Sequence, residues 1–254
     1  MRTIKKIHQA ASSPIGDLVT YRALPTQSVN YIDPFLFLNH HGPQVYPPHN
    51  QGLPFGPHPH RGFETVTFVL EGDIYHKDSF GNTGLIKPGG IQWMTAGSGL
   101  LHSEISSDSF KERGGPLEIL QLWVNLPAKH KMAAPSYADL QKEDIPTLLL
   151  DQGRVTVNVV SGTFAEHAGA YQSLTDVHLS TLFFKPQGRL NLKVAASRNI
   201  FFYVIRGRLL VNGTQVEQLQ LVEFESDGEE LALEAQNDAV ILFGHALPYH
   251  EPVV

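Results

Sequence analysis

The sequence contains no cysteine among its 254 residues. This absence excludes disulfides, cysteine–zinc sites, iron–sulfur clusters and thiol nucleophiles. Charged residues make up only 17% of the chain, and 19 Lys and Arg against 25 Asp and Glu give a net charge of −6. Because binding to a phosphate backbone requires basic clusters, we expect no direct contact with nucleic acid.

Long hydrophobic runs are missing as well. No stretch approaches the roughly 18 consecutive apolar residues of a transmembrane helix. The basic residues Arg2, Lys5 and Lys6 are followed by a polar segment that Pro14 interrupts, not by the apolar core of a secretory signal. The sequence therefore predicts a cytoplasmic protein without a membrane partner.

Short runs of β-branched and aromatic residues dominate the pattern. Each run ends near a turn residue, and the chain has 22 Gly and 17 Pro to supply such turns. The candidate strands are residues 65–70, 119–125, 154–160 and 200–205, with a hairpin at Asn212-Gly213. This pattern predicts an all-β fold of the sandwich or barrel type.

One segment near the middle of the chain has a helical signal. Ser136 followed by Asp139 resembles a capping box, which predicts a helix over residues 137–143 before Pro146. We interpret this segment as part of a short helical connection between two halves.

A weak internal repeat supports two halves. Phe68–Gly72 aligns with Tyr203–Gly207 at an offset of 203 − 68 = 135 residues, and each copy is an apolar run that enters a glycine turn. The prediction is two β-barrel domains, residues 1–130 and 131–254.

The histidines form the sharpest local feature. His58 and His60 are two residues apart, so on a strand both imidazoles project from one face. The same spacing recurs in His102-Ser103-Glu104, and Glu64 has the parity of His60. A single His-x-His is often coincidence, but three imidazoles and a carboxylate in this arrangement suit a metal ion with open coordination positions.

These residues resemble the motifs of the pirin family of the cupin superfamily. The resemblance lies in His58–Thr67 and in Gln92–Gly99 with His102 and Glu104, and continues in residues 120–127 and 131–137. It implies a bicupin fold of two jelly-roll β-barrels with a metal ion, usually iron, in the first barrel only. The ligands implied by position are His58, His60, His102 and Glu104.

Two details qualify the resemblance. Seven residues separate Glu64 from Gly72, where the general cupin pattern has six. Pirins use the later His-x-Glu carboxylate as a ligand, so Glu64 is expected to orient a histidine instead. In the second half, the offset of 135 aligns His58 with Lys193 and His60 with Ala195, so we expect no equivalent metal there.

The resemblance implies an activity of the quercetin 2,3-dioxygenase type, in which O2 oxidises flavonols or similar flat aromatic enols. Glu104 would then hold the ion and accept the hydroxyl proton of the substrate. Fe(II) is the expected cofactor, and Ni, Cu, Mn, Co or Zn also suit this donor set. The alternative is a non-enzymatic, metal-dependent regulator that binds a protein partner.

The other histidines of the first half are predicted to be ordinary surface residues. A Pro/Gly-rich stretch predicts surface positions for His40, His41 and His49. His76 is expected in a solvated turn, with an orientation into the pocket as the alternative. We expect the pocket wall to consist of Val66, Phe68, Leu70 and Trp93.

Overall fold

The computed structural model describes residues 1–253. The chain divides into two compact units, each of which combines separate stretches of sequence. The first unit consists of Ala11–Pro25, Phe35–Asp144 and a C-terminal segment that begins at Glu251. The second unit consists of Met1–Ala10, Thr26–Pro34 and Ile145–His250.

Strands make up most of both units. In chain order they are β1 (Ile4–Gln9), β2 (Ala11–Ser12), β3 (Thr20–Leu24), β4 (Phe35–Tyr46), β5 (Phe55–His60), β6 (Phe63–Glu71), β7 (Ile74–Asp78), β8 (Thr83–Ile86), β9 (Ile91–Thr95), β10 (Leu100–Ile105), β11 (Gly115–Asn125), β12 (Ser136–Leu140), β13 (Thr147–Leu150), β14 (Val155–Ser161), β15 (Thr163–Phe164), β16 (His167–Ala168), β17 (Val177–Phe184), β18 (Arg189–Lys193), β19 (Asn199–Arg206), β20 (Arg208–Val211), β21 (Thr214–Glu217), β22 (Gln220–Phe224), β23 (Glu230–Ala235) and β24 (Ala239–Ala246). The helical elements are α1 (Asp108–Arg113) and 3₁₀ turns at Ala128–His130, Lys142–Asp144 and Asp151–Gly153.

Each unit has one large and one small antiparallel sheet. In the first unit the orders are β12-β9-β6-β11-β4-β3-β2 and β5-β10-β7-β8. In the second unit they are β1-β22-β19-β24-β17-β14-β13 and β18-β23-β20-β21, with β15-β16 as a separate hairpin. The predicted all-β, two-barrel fold is confirmed, and each predicted strand lies within or overlaps a strand of the structure.

The division into units differs from the predicted boundaries at residues 130 and 131. Strand β1 pairs with β22 of the second unit, whereas β12 pairs with β9 of the first unit. An uncovered edge strand exposes unpaired N–H and C=O groups. Strand β22 is covered by β1, and β9 is covered by β12. In both sheets the covering strand therefore comes from the other side of the predicted boundary.

The predicted helix over residues 137–143 is wrong. Ser136–Leu140 is strand β12, and a 3₁₀ turn follows at Lys142–Asp144. Five consecutive residues of β12 pair with β9, from Ser136 opposite Thr95 to Leu140 opposite Ile91. A helix of two turns is marginal by itself, so the tertiary pairing outweighs the local capping signal.

The internal repeat corresponds to a real equivalence. Strands β6 and β19 occupy the third position of their large sheets, and each leads into a glycine at φ 83°, Gly72 and Gly207. The Asn212-Gly213 hairpin also forms, with φ values of 51° and 80° that fit a type I′ turn. In the described part of the chain, no helix is long and apolar enough to span a membrane.

Candidate metal centre

Strands β5 and β10 bring the two histidine motifs together. They pair antiparallel, with His102 opposite His58 and Leu100 opposite His60, and β5 is the edge strand of its sheet. One ring nitrogen each from His58, His60 and His102 lies within 4.8 Å of the other two. The i, i+2 spacing thus has the effect expected from it, which is to aim three imidazoles at one point.

The orientation of His58 is set by the backbone. Its Nδ1 lies 2.7 Å from the carbonyl oxygen of Gly56. A carbonyl can only accept, so Nδ1 carries the proton and the neutral ring keeps a lone pair on Nε2. That Nε2 lies 3.0 Å from Nε2 of His102. Metal-binding histidines commonly have this arrangement, with the second ring N–H donated to a backbone carbonyl.

His60 and His102 are held neutral by their surroundings. Burial, together with the smaller effect of the neighbouring His58, lowers the pKa of His60 to about 4. Burial lowers the pKa of His102 to about 2, with contributions from His60, His58 and His76. Metal binding requires the unprotonated imidazole, so both rings are in the ligand form at neutral pH.

Two of these residues, His58 and His102, have the spacing that a shared metal ion requires. Two nitrogens at about 2.1 Å from a common ion, and at right angles, lie about 3.0 Å apart, which is the 3.0 Å separation of the two Nε2 atoms. The Nε2 of His60 is buried and has no hydrogen-bond partner within residues 1–253. A buried polar atom without a partner is costly unless a ligand satisfies it.

Glu104 lies beside this group and is buried. Its Oε1 accepts from Thr67 Oγ1 at 3.1 Å, and its Oε2 accepts from Gln121 Nε2 at 2.6 Å. Oε2 is 4.0 Å from Nε2 of His102. Gln121 is itself oriented by Trp123, whose Nε1 donates to Gln121 Oε1 at 3.0 Å. Burial raises the pKa of Glu104, and the two hydrogen bonds oppose this only in part.

Glu64, the expected orienting residue, has a different contact. It is fully buried, and its Oε1 accepts from Thr95 Oγ1 at 2.6 Å. Glu64 and Thr67 are three residues apart on a regular part of β6, so they lie on opposite faces. Glu104 contacts Thr67 and therefore lies on the face opposite to Glu64. The turn at Gly62 interrupts the strand, so the even spacing of His60 and Glu64 does not place them on one face.

The predicted solvated turn for His76 is wrong, and its burial beside His102 agrees with the stated alternative, an orientation into the pocket. His76 is fully buried on β7, where it pairs with Glu104 of β10. Its Nδ1 lies 3.4 Å from Nδ1 of His102, and its ring stacks on Tyr137 at 4.1 Å. His76 and Asp78 have the same i, i+2 spacing as the two histidine motifs. That spacing could have indicated that both side chains lie on one face of a strand.

His40 and His41 are also buried, contrary to the prediction. Both belong to β4, where His40 Nε2 lies 2.9 Å from Glu118 Oε1 and His41 Nδ1 lies 2.9 Å from Thr20 Oγ1. The glycine and proline that suggested a loop, Gly42 and Pro43, are within the same long strand. Only His49 has the predicted exposed position.

The predicted pocket wall is on the wrong face. Val66 and Phe68 are buried, but they lie on the face of β6 opposite to Thr67, which contacts Glu104. Trp93 of β9 pairs with Val66 and is also buried. A cavity of about 480 Å³ is lined instead by Phe63 and Trp123, together with Leu36, Arg61, Gly62, Asn125, Lys131, Met132, Pro252 and Val253. The rings of Phe63 and Trp123 stack at 4.6 Å and pack edge-on against His60 at 5.2 and 5.4 Å.

Comparison with known proteins identifies the family. Residues 17–124 match the Pirin family model. The chain is 38% identical over 241 residues to a Pseudomonas aeruginosa protein provisionally named quercetin 2,3-dioxygenase, with 95% of this chain and 83% of that protein covered. The chain belongs to the pirin family.

Solved structures agree with this assignment. The crystal structure of quercetin 2,3-dioxygenase from Acinetobacter baumannii superposes with a TM-score of 0.92 at 34% identity, covering 100% of this chain and 90% of that one. The pirin YhhW of Escherichia coli, solved in complex with nickel(II), has a TM-score of 0.75 at 22% identity, with 96% and 99% covered. At 22% identity, the comparison with YhhW shows a shared fold.

Proposed function

We propose that this pirin is a metal-dependent dioxygenase of the quercetinase type, which oxidises a flavonol or a similar flat aromatic enol with O2. The ion, Fe(II) in the first instance, is held by His58, His60, His102 and Glu104. The observation that carries the proposal is the convergence of three imidazoles beside a buried carboxylate. The names of the relatives support the substrate class.

The donor set defines what a bound ion can do. Three imidazoles and one carboxylate leave positions open on a six-coordinate ion. The ion would supply Lewis-acid polarisation of the oxygens of the substrate. The edge strand β5 presents His58 and His60 from one side and β10 presents His102 and Glu104 from the other, so the open positions remain accessible to a substrate.

Glu104 has the properties of a general base. Thr67 and Gln121 each donate to a different carboxylate oxygen, which fixes the plane of the group. Each oxygen keeps a further lone pair with which to accept a proton from a hydroxyl group. Burial raises the pKa of Glu104 in the metal-free protein, and a bound cation would lower it, so the role as a base rests on the position of the carboxylate beside the imidazoles.

Phe63 and Trp123 provide a surface for a flat substrate. Trp123 lies between Phe37 and Phe63, with ring separations of 4.3 and 4.6 Å and interplanar angles of 21° and 27°. Their edges meet His60, and the cavity that they line is within the usual range of about 300–1,000 Å³ for small-molecule sites. Both faces of Trp123 are covered by the phenyl rings of Phe37 and Phe63, so a flat aromatic enol would pack against Phe63 and the edge of the indole, beside the imidazoles.

The decisive experiment measures oxygen consumption with quercetin under air by the iron-loaded protein. We expect Glu104→Gln to stay folded and to retain metal through its three histidines, because the amide keeps the size and an oxygen atom. The rate should fall by about 10²–10⁴-fold, since proton acceptance is lost. Glu112→Gln, an exposed residue of α1, is the matched control and should leave the rate unchanged.

Two results would contradict the proposal. One is wild-type protein, fully loaded with Fe(II), Ni(II) or Mn(II), that consumes no oxygen above the background of free metal. The other is a Glu104→Gln protein with the wild-type rate, which would remove the carboxylate from the mechanism. The first result would make the metal-dependent regulator the working hypothesis.

A further inference from the structure

The second ring nitrogen of His102 points away from the other two imidazoles. Its Nε2 lies 3.0 Å from His58 Nε2, whereas its Nδ1 lies 3.4 Å from Nδ1 of His76. If Nε2 binds the ion, the single proton of the neutral ring must be on Nδ1. This N–H is buried, so it needs an acceptor, and the atom that faces it is Nδ1 of His76.

We propose that His76 is a positioning residue, whose Nδ1 accepts the Nδ1–H of His102 and so keeps the lone pair of His102 Nε2 on the metal side. The inference rests on the proposed metal site, and it does not depend on the substrate or on the oxygenation. His58 has its equivalent support in the carbonyl of Gly56. His102 is paired with a second histidine in place of a carbonyl.

The surroundings of His76 favour the required tautomer. To accept at Nδ1, the neutral ring must carry its proton on Nε2. Asp78 Oδ2 lies 3.9 Å from His76 Nε2, too far for a direct hydrogen bond, and Nε2 has no hydrogen-bond partner among the described residues, so Asp78 acts on this side through its charge alone. Asp78 accepts hydrogen bonds from the backbone N–H groups of Phe80 and Asn82 and from the amide of Asn82, which hold it as a carboxylate. A negative group beside Nε2 stabilises the proton there.

The ring of His76 is also fixed in orientation. Strand β7 is paired on both sides, with β10 and with β8, so the backbone of His76 has little freedom. Tyr137 stacks on the ring at an interplanar angle of 25°, and its hydroxyl accepts from Gln92 Nε2 at 2.7 Å. Tyr137 has this position because residues 136–140 form a strand.

The test compares nickel(II) affinity of three variants by competition with a chelator. His76→Leu removes the acceptor, and we expect about 10–100-fold weaker binding, as for other groups that support metal-binding histidines. His76→Asn retains an acceptor oxygen near the position of Nδ1 and should lose less than about 10-fold. The control Lys77→Ala changes the exposed neighbour on β7 and should bind as the wild type does.

A folded His76→Leu protein with wild-type affinity would overturn the proposal, and so would equal losses for His76→Leu and His76→Asn, which indicate lost packing. If His76→Leu does not fold, nitrogen-15 NMR of the wild-type zinc(II) form decides. We expect the proton of His76 on Nε2, and a proton on Nδ1 would exclude it as an acceptor. Failure of the quercetin assay leaves these outcomes unaffected, so the two proposals are tested separately.

Discussion

The two units have the same sheet order but fill their interiors differently. Strand β6 of the first unit corresponds to β19 of the second, and the offset of 135 aligns Thr67 with Phe202. Thr67 lies opposite Gln121, whereas Phe202 lies opposite Phe243. The pair Thr67 and Gln121 binds the carboxylate of Glu104, while Phe202 and Phe243 belong to an apolar cluster.

The small sheets show the same contrast. His58 faces His102 across β5 and β10, whereas the buried pairs across the corresponding strands β18 and β23 are leucines, among them Leu192 opposite Leu231. Both leucines are part of the apolar cluster. Lys193, the residue aligned with His58 by the sequence repeat, is exposed and lies 3.8 Å from Glu229. One architecture can therefore hold either a polar site or a packed core, and the inward-facing residues decide which.

The largest effect is expected from removing the paired histidines of the first unit. His58→Ala with His60→Ala should reduce bound metal from about one ion per chain to nearly none, because a single imidazole and Glu104 remain. Elemental analysis measures this, with His178→Ala and His245→Ala in the second unit as the control. A stoichiometry near two ions per chain, with one ion lost in the control, would show that both units bind metal and would contradict the predicted asymmetry.

The second effect concerns the packed interior of the second unit. Phe202 is fully buried and packs against Phe224 and Phe243 at 6.2 and 6.4 Å. Phe202→Ala should lower the free energy of unfolding by about 3–5 kcal/mol, whereas the aligned Thr67→Ala leaves a smaller space and should cost less. Urea unfolding of the metal-free proteins measures both, and equal losses would contradict the comparison.

A smaller effect is expected in acid. His245 stacks on His178 at 4.5 Å and accepts at Nδ1 from Arg198 Nε at 2.7 Å. Burial lowers its pKa to about 3, and the neighbouring His178 and Arg198 contribute. Between about pH 6.5 and pH 3 the unfolded chain binds a proton at His245 that the native ring does not bind. The contribution of His245 to the free energy of unfolding is therefore complete above pH 6.5 and is lost as the pH falls through this range.

The measurement is the slope of the free energy of unfolding against pH. His245 should contribute up to about 1.4 kcal/mol per pH unit, or about 2 kcal/mol between pH 6.5 and pH 5. We expect His245→Gln to have a shallower slope by this amount, whatever its stability at pH 7. An unchanged slope would mean that the native ring binds the proton too.

A local difference separates two equivalent glycines. Gly72 and Gly207 both have φ 83°, so alanine is strained at either, by about 1–2 kcal/mol. A Cβ on Gly207 would lie 2.1 Å from the carbonyl oxygen of Asp238, whereas a Cβ on Gly72 would lie 3.2 Å from that of Pro116. Thermal unfolding should therefore show a greater loss for Gly207→Ala, and the reverse order would contradict this local difference.

Much of the fold and of the site could be predicted from local pattern. The strands β6, β11, β14 and β19 are runs of β-branched and aromatic residues, and the Asn212-Gly213 turn has a conformation that few other residues adopt. The i, i+2 spacing of His58 with His60 and of His102 with Glu104 decides which side chains share a face. These features depend on neighbours in sequence, so no knowledge of the fold is needed to read them.

Other features depend on residues far apart in the chain. Tyr137 follows a helical capping signal, yet it belongs to a strand because β9 offers a partner. His76 is buried beside His102 because β7 and β10 pair, although its sequence neighbours Lys77 and Asp78 suggested solvent. Helical propensity and local polarity are weaker than a complete strand pairing, so both predictions failed.

The sequence by itself determined the all-β class and the pair of histidine motifs, because both depend on residue type and on spacing along a strand, whereas the two barrels were predicted from a weak repeat and from the resemblance to pirins. Only the tertiary structure decided which strands complete each sheet, which nitrogen of His102 faces the other imidazoles, and which residues hold Glu104 and His102 in place. Those choices come from pairing between distant strands, whose register brings Thr67, His76 and Gln121 to one carboxylate and one imidazole.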